Sequence, residues 1–331
     1  IEYYQDRVNS SAYQMDLIQA IKKTYRGLYT DNSSMQMASL FSNHYIDLCK
    51  LHLTFGARLN HSIIQGDDPE FGNFDLAPTA VVGSAGINYQ LLKGLAITAQ
   101  LSNGFRSPNI NDISSFGLFD YGFEVPASGL KPEKSLSSEI GLKMFSSKVS
   151  GTLTVYQTNL YDLLIRIPSS FEGDTLYQGE RVYQKANQDQ ALVRGIEGDL
   201  AWKPIPRLLF SAFGTYTFGE DLQEHLPLRR IPPIFGQIHA EYSFGQKLKT
   251  GTTFKMAGQQ SRLSAGDIDD DRIPQWGTPG WHCWDLFVSY KTQPWIISVH
   301  LLNLTNQDYR IHGSGLQQAG RGFLVKLYST L

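Results

Sequence analysis

Five groups of side chains in this sequence have the types and spacing to do chemistry. Asp267, Asp269, Asp270 and Asp271 suggest a calcium loop, but Arg272 stands where an EF-hand needs glycine and Thr278 where it needs glutamate. A solvated acidic loop is the simpler reading. Gly313-Ser314-Gly315 has the glycines of a nucleophile elbow without its strand-to-helix setting, so no enzyme is indicated and no catalytic residue is assigned. The histidines are scattered, and His52, His239 and His300 fall on the polar parity of strands, where a hydrated side chain is the default. Cys49 and Cys283 are far apart and form no metal-like pair; both are read as free and buried, with a disulfide as the minor option in an oxidising compartment. Neither a metal site nor a cofactor is called for.

The fifth group is aromatic and basic and lies in long connections. Phe116, Phe119, Tyr121 and Phe123 follow Arg106 closely in a segment that should face solvent. Such clusters mark binding surfaces or pack on themselves as loop cores. Arg229 and Arg230 in another connection would meet an anionic ligand or a structural carboxylate, and Trp276 lies in a third. Arg106, Phe116, Phe119, Tyr121, Phe123, Arg229, Arg230 and Trp276 are therefore the candidate ligand-binding residues.

The elements that position them read as strands. Leu51, Leu53, Phe55, Ala57 and Leu59 alternate with His52, Thr54, Arg58 and Asn60, and Leu136, Ile140, Leu142 and Met144 with Ser135, Ser137, Glu139 and Lys143. The pattern recurs to the end, where Trp295, Ile297, Val299 and Leu301 are followed by Phe323, Val325 and Leu327. Period-two alternation gives each strand one apolar and one polar face. Residues 1 to 32 lack it: Leu17, Ile18, Ile21 and Tyr25 sit at helical spacing, and a short surface helix in a poorly defined outer loop or partial strand is the expectation there.

Connections alternate short and long without a break. Short ones fall near residues 46 to 50, 91 to 94, 146 to 148, 203 to 206, 244 to 247 and 291 to 294; long ones near 65 to 77, 105 to 133, 160 to 190, 220 to 231, 259 to 279 and 305 to 319. Tight turns at one rim and long loops at the other are the signature of an outer-membrane barrel. Composition agrees, with 41% hydrophobic residues, 18% charged and a net charge of −2 over 331 residues. No basic run suggests nucleic acid, and no apolar run approaches the ~18 residues of a transmembrane helix, so any span is made of strands. Tyr89, Trp202, Phe218, Phe244, Trp281, Tyr290, Trp295 and Tyr328 gather where strands meet connections, as interfacial girdles do.

Several segments carry a resemblance. Asn303-Leu304-Thr305-Asn306 with Tyr309, followed by Gly320-Arg321, resembles the end of a TonB-dependent outer-membrane receptor. Gly104-Phe105-Arg106-Ser107-Pro108, Leu130-Lys131-Pro132-Glu133-Lys134-Ser135, Arg194-Gly195-Ile196-Glu197, Arg229-Arg230-Ile231-Pro232-Pro233 and Gly277-Thr278-Pro279-Gly280-Trp281 are similar to family segments in the same order. The resemblance implies an all-β, antiparallel up-and-down transmembrane barrel, with about 13 of 22 strands after Ser33 and residues 33 to 331 forming its C-terminal portion. The plug, the first strands and the signal peptide are expected to precede Ile1. It further implies a Gram-negative outer-membrane location, contact with outer-membrane lipid, and TonB as a partner through the plug. The implied ligand is a scarce nutrient such as an iron-siderophore, haem or cobalamin, bound as a small metal-chelate or vitamin. A non-transport adhesin or passive pore is the alternative. The sheet, cut from a larger barrel, is expected to stay open with edges near Ser33 and Leu331.

Overall fold

The computed structural model describes residues 1–16, 18, 21–68, 70–119 and 122–329. In chain order the first strands are β1 (Glu2–Val8), β2 (Ser11–Asp16), β3 (Ile21–Arg26), β4 (Ser33–Leu48), β5 (Leu51–Asp68), β6 (Gly72–Leu76), β7 (Thr79–Leu92) and β8 (Leu95–Arg106). Helix α1 (Ile110–Ser114), β9 (Gly117–Phe119) and β10 (Gly122–Val125) occupy the next loop, and β11 (Glu133–Phe145), β12 (Val149–Pro168), β13 (Leu176–Tyr177), β14 (Glu180–Ile205) and β15 (Leu208–Asp221) follow. The chain closes with β16 (Phe235–Phe244), β17 (Leu248–Ala257), α2 (Ala265–Ile268), β18 (Trp281–Thr292), β19 (Trp295–Leu302) and β20 (Gly322–Ser329).

The long strands form one antiparallel meander in the order β1, β4, β5, β7, β8, β11, β12, β14, β15, β16, β17, β18, β19, β20. Thirteen of them follow Ser33, as the alternation predicts. Among the described residues β20 pairs with β19 alone and β1 with β4 alone, so the sheet is an open wall. Its first edge differs from the expected one near Ser33, because Glu2 to Val8 pair with Ser39 to Ser33. The helix expected in residues 1 to 32 is also corrected. Ser11–Asp16 and Ile21–Arg26 form a two-stranded hairpin, while Leu17 lies outside the described residues. That hairpin is a two-stranded sheet apart from the wall, and its sequence lacks the apolar alternation of the wall strands.

Register fixes which face is which. Leu101, Ser138, Gln157, Arg194 and Phe218 lie in one cross-strand row, and Ala99, Ile140, Val155, Ile196 and Tyr216 in another two residues nearer the short turns. Both rows have the outward parity, on which Ile140 is 65% exposed and Ile238 50%. Trp202, Phe244, Tyr290 and Trp295 form an exposed outward belt beside the short turns. The opposite parity carries Glu139, Lys143, Glu197, Asp199, Glu241, Lys249 and Lys255, with ion pairs from Lys249 to Glu241 at 2.9 Å and from Lys255 to Asp285 at 2.6 Å. There Phe287 lies flat over Gly251, stacked between His239 and His300 with centroids 6.0 and 5.6 Å away. A Cβ on Gly251 would meet the Phe287 ring at 2.4 Å, so this crossing needs glycine.

The wall buries little apolar surface between its two faces, and the main apolar core sits in the layer of long loops. Ile64, Ile110, Ile113, Ala127 and Leu130 form one cluster, and Phe123, Val125 and Val182 a second. Both cysteines are free, as expected, but Cys49 is exposed in a tight turn at φ 56° and Cys283 alone is buried.

Candidate functional site

The loop layer holds two charged clusters and one aromatic cluster. Around α1, Asn109 and Asp112 cap the helix reciprocally: the Asp112 amide donates to Asn109 Oδ1 at 2.9 Å and the Asn109 amide to Asp112 Oδ2 at 3.0 Å. Asp112 also accepts from Arg106 at 2.7 Å and lies 3.2 Å from Lys185 Nζ. Lys185 is 3.2 Å from Glu124, which pairs with Arg166 at 2.7 Å, and Arg106 makes a close contact with Glu133. Three cations thus face three carboxylates. Burial opposes ionisation of Asp112, but the Asn109 amide, Arg106 and Lys185 outweigh it and hold the carboxyl below its ordinary value.

The aromatic cluster is built from three loops. Phe116 lies 4.8 Å from Phe71, 5.0 Å from Phe123 and 5.4 Å from Phe171, and Tyr177 completes the group 4.7 Å from Phe123. Phe123 is 4% exposed, so Phe116 and Phe123 act as loop core in this arrangement. Phe119 is separate, with the Arg166 guanidinium 4.4 Å from its ring centroid and Tyr183 5.6 Å away. Tyr121 lies outside the described residues.

The second charged cluster joins the loops 222–234, 258–280 and 303–321. Arg229, Arg230 and Arg272 converge on the Asp270 carboxylate at 3.1, 3.2 and 2.6 Å. Asp270 is 4% exposed at its side chain, whereas the arginines are 31%, 44% and 37% exposed. Arg272 above all holds the Asp270 carboxyl far below the carboxylate range, against the opposing effect of burial. Arg230 has φ 58°, a left-handed conformation that its amide keeps by donating to Asp267 at 3.2 Å. Asp267 caps α2 through Ser264 and is 1% exposed. The expected solvated acidic loop is therefore corrected: Asp267 and Asp270 are buried and engaged, while Asp269 and Asp271 remain exposed. Arg310 donates to the Arg272 carbonyl at 2.8 Å, and His312 shares a 2.8 Å hydrogen bond with Thr278. Burial above all pushes the His312 imidazole below its ordinary value, with Arg230 adding to it, against the opposing effect of Asp267 and then Asp270.

Of the sequence candidates, Arg229 and Arg230 come together, Trp276 is 61% exposed in the same loop as Arg272, and Arg106 belongs to the balanced cluster instead. Arg272 and Arg310 were missed as site residues, although Asp270-Asp271-Arg272 offers the sequence signal of a local carboxylate clamp.

An open antiparallel wall with an apolar outer face, a charged inner face and a folded loop layer at one rim defines a receptor-type transmembrane barrel. The chain belongs to the TonB dependent receptor-like β-barrel family, whose model matches residues 2–306. It is 24% identical over 222 residues to a ferric enterobactin receptor of Pseudomonas aeruginosa, covering 62% of this chain and 28% of that protein. The copper transporter OprC matches with TM-score 0.80 at 17% identity, covering 95% of this chain and 51% of OprC. The hemophore receptor HasR of Serratia marcescens, solved with its hemophore and heme, matches with TM-score 0.73 at 16% identity, covering 98% of this chain and 54% of HasR. The chain thus spans about half the length of these solved structures and 28% of the curated relative. Barrels of this family are outer-membrane transport receptors of Gram-negative bacteria.

Proposed function

We propose that this chain is the C-terminal barrel portion of a TonB-dependent receptor that binds and imports a scarce nutrient across the outer membrane of a Gram-negative bacterium. The ligand is an anionic metal chelate of the iron-siderophore type, with haem and cobalamin as the other members of the class. The observation that supports this reading is the exposed guanidinium surface at the loop layer: Arg229, Arg230 and Arg272 converge on Asp270 with side chains 31%, 44% and 37% exposed. Forked donors of this kind match carboxylate, catecholate and hydroxamate oxygens. Trp276 supplies exposed aromatic surface in the loop that carries Arg272, and Phe119 half-buried aromatic surface in another loop of the layer. Arg106, Phe116 and Phe123 hold the loop that presents Phe119, and Tyr121 belongs to the same ligand-facing segment. TonB acts through a plug supplied by the rest of the receptor.

The test is uptake of radiolabelled ferric chelates, haem and cobalamin by cells carrying or lacking the full-length receptor, with TonB present or deleted. Uptake of at least one ligand is expected to vanish with either deletion. Uptake that persists without TonB would replace active import by a passive pore.

A further inference from the structure

The outer wall carries a polar feature that import does not use. Arg194 has the outward parity of β14, in the row Ser138, Gln157, Arg194, Phe218. Arg194 and Phe218 of that row, with Ile140, Val155, Ile196 and Tyr216 on its short-turn side, line an open groove of about 480 Å³ on the outer face. Two guanidiniums flank its upper end, with Arg194 and Arg262 4.9 and 3.9 Å from the Phe218 ring centroid. Arg262 donates to the Gly219 carbonyl at 2.7 Å and lies 3.7 Å from Glu220. Among the described residues Arg194 has the Phe218 ring and no carboxylate, so two cations meet one anion.

Height decides what this charge faces. Arg194 and Trp202 share one parity eight residues apart on β14. At ~3.3 Å per residue and a strand tilt of ~40°, Arg194 stands about 20 Å above the short-turn aromatic belt, near the top of an apolar band ~25 Å tall. That is the level of lipid headgroups. A second outward groove of about 560 Å³ lies alongside, lined by Val81, Phe105, Leu136 and Tyr161 with Lys134, which lies 3.8 Å from Asp162. Arg194 and Arg262 above the first apolar groove at this height match phosphate above acyl chain.

We propose that the outer wall from β11 to β15 binds a phosphorylated, multiply acylated lipid of the leaflet facing the long loops. Arg194 and Arg262 hold its phosphate, with Ser138 and Gln157 beside them as neutral donors, and the groove under Phe218 takes an acyl chain. The inference rests on the outer-membrane reading above.

The experiment uses full-length receptor, delipidated in neutral detergent, titrated in native mass spectrometry with diphosphorylated lipid A, with dephosphorylated lipid A and with inorganic phosphate. Saturable binding of the diphosphorylated form is expected, weakened roughly five-fold by Arg194→Ala and further by adding Arg262→Ala. Arg194→Ala breaks no hydrogen bond of the loop layer, so its fold is preserved, and nutrient binding by the same protein should be unchanged. Equal binding of the dephosphorylated lipid, full competition by inorganic phosphate, or indifference to both substitutions would each overturn the site. Failure of the outer-membrane reading would look different: the receptor would be recovered without detergent.

Discussion

The two charged clusters of the loop layer use the same residue types to opposite effect. Around Lys185 three cations and three carboxylates balance, and Lys185, Asp112 and Glu124 are all under 9% exposed at their side chains. Around Asp270 three arginines converge on one buried carboxylate, with their side chains 31%, 44% and 37% exposed. Burial demands neutrality, because an unpaired ion out of water costs several kcal/mol. Exposed guanidinium surface is therefore what supports the proposed ligand site at the Asp270 cluster, and burial with balanced charge marks the Lys185 cluster as part of the fold.

The largest effect should come from breaking the balance. Lys185→Ala leaves Asp112 and Glu124 buried without their shared cation, at about 3–5 kcal/mol. Hydrogen exchange over residues 107 to 132 should rise sharply while the wall stays protected; unchanged exchange would show that Lys185 is dispensable. The wall offers the same contrast between a face that tolerates charge and one that does not. Ile140→Arg on the outward parity should cost about 2–4 kcal/mol and lower the yield of folded receptor, with Glu139→Arg on the inner face milder. Equal tolerance would reverse the face assignment.

Truncating the exposed arginines should spare stability and reduce binding. Arg229→Ala with Arg230→Ala leaves Asp270 paired with Arg272, so melting temperature should hardly move. Affinity for an anionic ferric chelate should fall about 10- to 100-fold, reflecting hydrogen bonds to charged groups of ~1.5–3 kcal/mol. Fluorescence titration of the full-length receptor checks this, and unchanged affinity would remove the arginines from the ligand surface.

The smallest effect is pH-dependent. The folded chain holds His312 below its ordinary value, so the unfolded chain binds more protons as pH falls through ~6.5, and stability declines from there toward the folded pKa. Asp270 works in a lower window, because its contribution is complete above ~3.9 and is lost only as pH falls toward its depressed folded value. Loosening of loops 258–280 and 303–321 between pH 7.5 and 5.5 should thus vanish in His312→Gln, as read by limited proteolysis. A pH response that survives this substitution would point elsewhere.

What the sequence made legible follows from where water and lipid lie. The strands after Ser33 announced themselves because lipid on one face and a charged lumen on the other impose strict alternation. In β1 the outward residues are Tyr3, Gln5 and Arg7, too polar to signal a span, and Tyr3 donates to Gln36 beside it. The arginine pair was visible as a pair; its carboxylate, 40 and 41 residues away, was not. The aromatic run after Arg106 was visible too, but Phe71, Phe171 and Tyr177, which convert half of it into a core, come from other loops. Contacts between distant loops leave no periodicity behind.

The unequal cysteines give the molecule a built-in chemical marker of sidedness. Cys49 stands exposed in the tight turn between β4 and β5, at the rim opposite the loop layer, while Cys283 is enclosed. A maleimide too polar to cross the outer membrane should leave intact cells unlabelled at this chain and modify Cys49 once the envelope is breached. One thiol reaction thus reports which way the wall was inserted.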